Sequence, residues 1–131
     1  TAAFIVLDRD SGELVYVNAG HNPPILWRAG HTNLLEATGT ALGWFDDTTY
    51  GVGRMTIPLG GGLLIYTDGL PDSIPGDSPE DNLLRALDTD LARTMSNLKA
   101  LVDPRFNEDD VTVLLVKRTA ASGVRLTAGT P

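Results

Sequence analysis

Two runs of strand formers in this chain carry acids at opposite ends. Leu63, Leu64, Ile65 and Tyr66 climb out of Gly60, Gly61 and Gly62 and end on Thr67-Asp68-Gly69, so a carboxylate stands at a strand exit. Val111, Val113, Leu114, Leu115 and Val116 follow Asn107-Glu108-Asp109-Asp110, so acids stand at a strand entrance. Laid antiparallel, the two strands bring Asp68 and Asp109-Asp110 to one edge of one sheet. Carboxylate oxygens converging from rigid elements form the donor set of a hard divalent cation, Mg2+ or Mn2+. Each acid taken alone also reads as a turn or a solvated strand end.

The rest of the chain supplies the sheet. Ala2 to Leu7 and Leu14 to Val17 flank the turn cluster Asp8-Arg9-Asp10-Ser11-Gly12, which predicts a hairpin. Asn18-Ala19-Gly20-His21-Asn22-Pro23-Pro24 then interrupts pairing, because neither proline can donate to a ladder. Pairing resumes at Ile25 to Arg28 and, after a turn over Ala29 to Thr32, at Asn33 to Glu36, which extends an antiparallel meander. A glycine-spaced loop from Thr38 to Gly43 leads to Trp44 and Phe45, expected as core or rim packing, and the second half of Tyr50 to Ile57 reads as strand.

Helix is signalled after Gly69. A short turn fits Leu70 to Ser73, and a long helix starts with Ser78 as N-cap, Pro79 at its first position and Glu80-Asp81 in its first turn. Leu83, Leu84, Leu87, Leu91, Met95, Leu98, Leu101 and Val102 recur at spacings of three and four until Pro104 stops the stripe, which predicts one unbroken helix packed on a sheet. Residues 119 to 131 lack periodicity and are expected as a flexible tail. The pattern is α+β, with one long helix covering one face of an antiparallel sheet, and a second covering layer is owed from elsewhere.

Composition closes off several classes. With 131 residues and 42% hydrophobic content the chain suits one domain with a core, and its net charge of −7 argues against nucleic acid or an anionic membrane as partner. It has no cysteine, which is compatible with a cytoplasmic setting and leaves no thiolate chemistry. No apolar run approaches a membrane span. The chain starts on Thr1 inside a strand, and is expected to be a piece of something longer.

The order LD-x(4)-GEL-x-Y-x-NAGHNPP, then G-x-x-LG, LLIYTDGL and DDVTVLLVKR, resembles the C-terminal half of the sporulation stage II protein E-like serine phosphatases, a bacterial branch of the protein phosphatase 2C-like metal-dependent family. The match runs from about Ala3 to Arg118, so residues 1–118 are expected as the C-terminal half of such a domain. The resemblance implies part of an αββα four-layer sandwich with two Mn2+ or Mg2+ ions at one end. It implies hydrolysis of phosphoserine or phosphothreonine on a regulatory protein, such as an anti-sigma factor antagonist, by a metal-activated water without a phosphoenzyme.

By motif match, Asp68 and Asp109 fall on metal-ligand positions. Asp110 stands where a residue supports the ligands, and Asp72 can reach a weaker metal or its waters. His21 and Asn22 are expected to shape their loop through hydrogen bonds to backbone, and Gly69 the turn beside the site. His31 is expected on the surface.

The departures are specific. The family's N-terminal GD segments, which carry further metal-binding acids, are absent from this chain, and the Gly-Asp that usually precedes the LLIYTDG strand is Gly60-Gly61 here. The fragment is therefore expected to be inactive by itself and, with one sheet face uncovered, to self-associate. The alternative function is a non-catalytic signalling module with a degenerate phosphatase fold that binds a regulator.

Overall fold

The first hairpin is closed by its own first turn residue. Asp8 Oδ1 accepts hydrogen bonds from the Ser11 N–H at 2.7 Å, the Asp10 N–H at 2.9 Å and the Ser11 hydroxyl at 2.9 Å. These bonds, led by that from the Ser11 backbone, hold its carboxyl below the usual carboxylate range. The turn joins β1 (Ala2–Leu7) to β2 (Glu13–Ala19), with Leu7 opposite Leu14 and Phe4 opposite Val17. The computed structural model describes residues 1–106 and 109–120 in full and the backbone of residues 123–129.

At Pro23-Pro24 the chain changes sheets, where the sequence led to an expectation of one meander. The strands β3 (Ile25–Arg28) and β4 (His31–Leu34) form a second hairpin. The turn between them is only Ala29-Gly30, both with positive φ (38° and 84°). A two-residue turn of that kind matches strand twist, so β4 starts at His31 rather than at Asn33. The strand β5 (Gly53–Thr56) returns to β2, giving a three-stranded sheet in the order β1-β2-β5. Next, β6 (Gly62–Tyr66) pairs with β3, and β7 (Val113–Thr119) pairs with β6, Tyr66 facing Val113.

Where an aperiodic tail is expected, the backbone of Gly123–Gly129 forms β8 and pairs with β7. The five-stranded sheet thus runs β4-β3-β6-β7-β8. Backbone pairing along β7 supplies the order that side-chain periodicity did not announce.

Between β6 and β7 lie three helices, α1 (Gly69–Asp72), α2 (Pro79–Ala86) and α3 (Leu91–Leu101). The single long helix expected from the leucine stripe is broken at Leu87–Asp90. Asp88 Oδ1 takes the Asp90 N–H at 2.9 Å, and Asp90 caps α3 by accepting the Arg93 N–H at 2.9 Å. Thr94 Oγ1 accepts the Asp88 N–H at 2.9 Å, and the Trp27 indole donates to the Asp88 carbonyl at 3.0 Å, so both backbone groups of Asp88 are held. Ser78 occupies the N-cap position of α2 as expected, with Pro79 inside the first turn, but its side chain makes no capping hydrogen bond.

Two cores result. Ile25, Trp27, Leu64, Tyr66, Val113 and Leu115 meet Leu83, Leu91 and Leu98 of the helices. On the other face of the same strands, Leu26, Leu63 and Val116 meet Leu14, with Ile5 and Met55 packed against them. The layers are helices, five-stranded sheet, three-stranded sheet, which is the α+β architecture expected and three layers of an αββα sandwich. On the outer face of the three-stranded sheet Phe4 is 66% exposed and Val6 55%.

Candidate functional site

Asp68 leaves β6 and serves as N-cap of α1, with its Oδ1 accepting the Gly69 N–H at 3.1 Å. The Asp109-Asp110 segment enters β7 at the same edge, because Tyr66 pairs with Val113. The backbones of the two segments touch. The Thr67 N–H donates to the Thr112 carbonyl at 3.1 Å, the Thr112 N–H donates to Thr67 Oγ1 at 3.0 Å, and the Thr67 hydroxyl donates to the Asp110 carbonyl at 3.2 Å. Gly69 is buried against this segment: a Cβ there would lie 2.7 Å from the Asp110 carbonyl oxygen, so only glycine lets the two segments approach this closely.

Asp68, Asp72, Asp109 and Asp110 are all exposed. Asp109 Oδ1 accepts the Asp110 N–H at 2.7 Å, which leaves its second oxygen for another partner. Asp72 follows Asp68 by one turn of α1, its N–H donating to the Asp68 carbonyl at 3.1 Å. Together with Asp109 and Asp110, these acids form the negative end of the five-stranded sheet.

The GHNPP loop is shaped by a residue the sequence reading passed over. Asn18, fully buried, accepts the His21 N–H on Oδ1 at 2.8 Å and donates from Nδ2 to the Leu35 carbonyl at 3.0 Å. Asn18 thus ties the His21 backbone to the Leu35 segment across the loop in which His21 and Asn22 are expected to act. The His21 ring lies 3.3 Å from Thr1 Oγ1, and Asn22 lines a cavity beside Tyr66. Thr67 was likewise passed over; its signal was a hydroxyl at a strand exit, one residue before the acid. Burial pushes the Tyr66 phenol above its usual range, and the nearby Glu80 carboxylate adds to the shift. Trp44 and Phe45, expected in core or rim, stand 72% and 66% exposed on the loop after Gly43, while Trp27 is buried. His31 is exposed, as expected.

For a divalent ion the donor type fits, since exposed carboxylates are what Mg2+ and Mn2+ prefer. The donor number falls short. Among the described residues no group of three or more His, Cys, Asp or Glu is placed to hold a metal, so Asp68 and Asp109 do not by themselves make up a coordination shell.

The sequence profile of stage II sporulation protein E (SpoIIE) matches residues 1–119. The phosphoserine phosphatase RsbP of Bacillus subtilis is 31% identical over 122 residues, which covers 88% of this chain and 30% of RsbP. This chain thus spans less than a third of that relative's length. Among solved structures, the RsbU and RsbW domains of a Mycobacterium tuberculosis protein superpose with a TM-score of 0.69 at 28% identity, over 98% of this chain and 37% of theirs. The manganese-presoaked phosphatase domain of SpoIIE from Bacillus subtilis superposes with a TM-score of 0.72 at 17% identity, over 93% of this chain and 57% of that one, a likeness of fold. The chain belongs to the SpoIIE family of protein phosphatase 2C-like phosphatase domains.

Proposed function

We propose that this chain forms the metal-carrying edge of a protein serine/threonine phosphatase domain, acting on phosphoserine or phosphothreonine of a regulatory protein of the anti-sigma factor antagonist kind. The observation that carries the reading is the Thr67 bridge, which fixes the Asp68 turn and the Asp109-Asp110 segment side by side. The similarity to RsbP, a phosphoserine phosphatase, supports the choice of substrate class.

Asp68 and Asp109 would each offer one carboxylate oxygen to Mn2+ or Mg2+, their other oxygen being engaged by a backbone N–H. Bound ions of this kind lower the pKa of water and neutralise phosphoryl oxygens, and two of them clamp an in-line displacement. Asp72 and Asp110 would add negative charge and could accept hydrogen bonds from waters of a bound ion. Two carboxylates fill at most a third of the roughly six oxygen positions around such an ion. The chain alone is therefore expected to bind metal weakly and to turn over little.

The test is hydrolysis of a phosphoserine peptide by the full-length protein across a Mn2+ titration, with Asp68→Asn and Asp109→Asn as controls. Turnover that requires Mn2+ and disappears in both variants at unchanged melting temperature supports the phosphatase. A folded, inert parent, or variants as active as wild type, moves the assignment to a non-catalytic module that binds a regulator.

A further inference from the structure

A cavity of about 230 Å³ opens at the end of the five-stranded sheet where Asp68 stands. Its link to that site is direct: it is lined by Tyr66, two residues before Asp68, and by Pro71, three residues after it on α1. Ile25, Leu34 and Leu84 provide aliphatic walls, and Glu80, in the first turn of α2, sets a carboxylate at the exposed rim. Tyr66, near enough to Glu80 to feel its charge, also lines the cavity.

Aliphatic walls ending in an acid match one kind of side chain: an apolar stem with a cationic head. The chain's net charge of −7 favours the same partner. We propose that this cavity receives an arginine or lysine side chain of the phosphoprotein substrate, a few residues from the phosphoserine. The inference rests on the phosphatase reading for its substrate, and it turns the cavity into a determinant of which phosphoserine is chosen. Arginine fits better than lysine, because its planar fork can engage both oxygens of Glu80.

The experiment uses the full-length protein and fluorescein-labelled phosphoserine peptides in which one arginine is moved along the sequence, each paired with a citrulline version of the same shape and no charge. At one spacing the arginine peptide is expected to bind roughly three- to fivefold tighter than its citrulline partner at low salt, the size of an exposed charge pair. The difference shrinks at high salt. It disappears in Glu80→Gln, and Leu84→Trp, which fills the cavity from its half-buried wall, weakens the arginine peptide in the same way. Equal binding of arginine and citrulline peptides at every spacing, or a preference that survives Glu80→Gln, overturns the inference. Wild-type hydrolysis of p-nitrophenyl phosphate, measured alongside, reads the catalytic assignment separately. A protein inert toward it that still discriminates arginine keeps the docking cavity and loses the phosphatase.

Discussion

Thr67 and Asp110 are joined through a single hydroxyl, which donates to the Asp110 carbonyl at 3.2 Å while accepting the Thr112 N–H at 3.0 Å. This one group spans the gap between a strand exit and a strand entrance that are more than forty residues apart in the chain. Thr67→Val keeps the shape and removes both bonds, leaving the Thr112 N–H without that acceptor. Both bonds are solvent-exposed, so the variant is predicted to cost about 0.5–1.5 kcal/mol in chemical denaturation. Thr67→Ser keeps the hydroxyl and is predicted to stay near wild type. Equal losses in Val and Ser variants would assign the effect to packing rather than to the bridge.

Gly69 sets how closely the two segments approach. Gly69→Ala places a methyl 2.7 Å from the Asp110 carbonyl oxygen, and that neighbour is backbone, which cannot swing aside as a flexible side chain would. The variant is predicted to lose roughly 1–3 kcal/mol of stability, the usual cost of overpacking. Faster amide exchange at Thr112 should accompany the loss, since its N–H is held by Thr67. A variant with native stability and native exchange would show that the Asp110 segment moves freely.

How far the site was legible follows from which residues carry it. Leu63 to Tyr66 and Val111 to Val116 announce themselves as strands, and antiparallel pairing then forces Asp68 and Asp109 to one edge, as found. The helix break at Asp88–Asp90 stayed hidden because Leu83, Leu87 and Leu91 remain in helical step across it; only the Asp-Thr-Asp cluster, rich in N-cap formers, marked it. Asn18 was missed because asparagine ahead of glycine and proline reads as a turn, whereas its side chain is fully buried and serves another segment, at Leu35. The exposure of Trp44 and Phe45 depends on what packs near their loop, which residue type does not disclose.

The outer face of the three-stranded sheet bears on solution behaviour. Phe4 and Val6 project from β1 opposite Val17 and Val15, forming an apolar stripe on a sheet whose described edges are β1 and β5. The chain by itself is predicted to self-associate through this face. Phe4→Glu or Val6→Lys should raise the monomer fraction in sedimentation without lowering the melting temperature. A wild-type chain that sediments as a monomer at all concentrations would contradict the prediction.

Acid stability has a local source at the end of α3. Two Arg105 contacts, the guanidinium first and its backbone N–H second, hold the Asp103 carboxyl down to about 2, with Nη2 2.6 Å from Oδ2. The folded state therefore binds fewer protons at Asp103 than the unfolded chain does, whose aspartates titrate at about 3.9. Stability from this contact is fully present above about pH 4 and is lost as pH falls toward 2. Asp103→Asn should flatten that limb of the denaturation midpoint against pH. An unchanged limb would place the acid sensitivity elsewhere, with Asp8 and Asp88, both also held below their usual range, as the next groups to replace.

The central claim is that Asp68 and Asp109 share one divalent cation. Mn2+ binding to the full-length protein, measured by titration calorimetry on wild type, Asp68→Asn, Asp109→Asn and the double variant, tests it most directly. Loss of a group that merely supports a ligand weakens metal affinity by roughly 10–100-fold, so loss of a ligand itself should do at least that. Each single variant is therefore predicted to fall by at least tenfold, and the double variant by less than the product of the two, as residues acting on one ion do. Wild-type Mn2+ affinity in either single variant, or losses that multiply as they would at independent sites, would contradict the account.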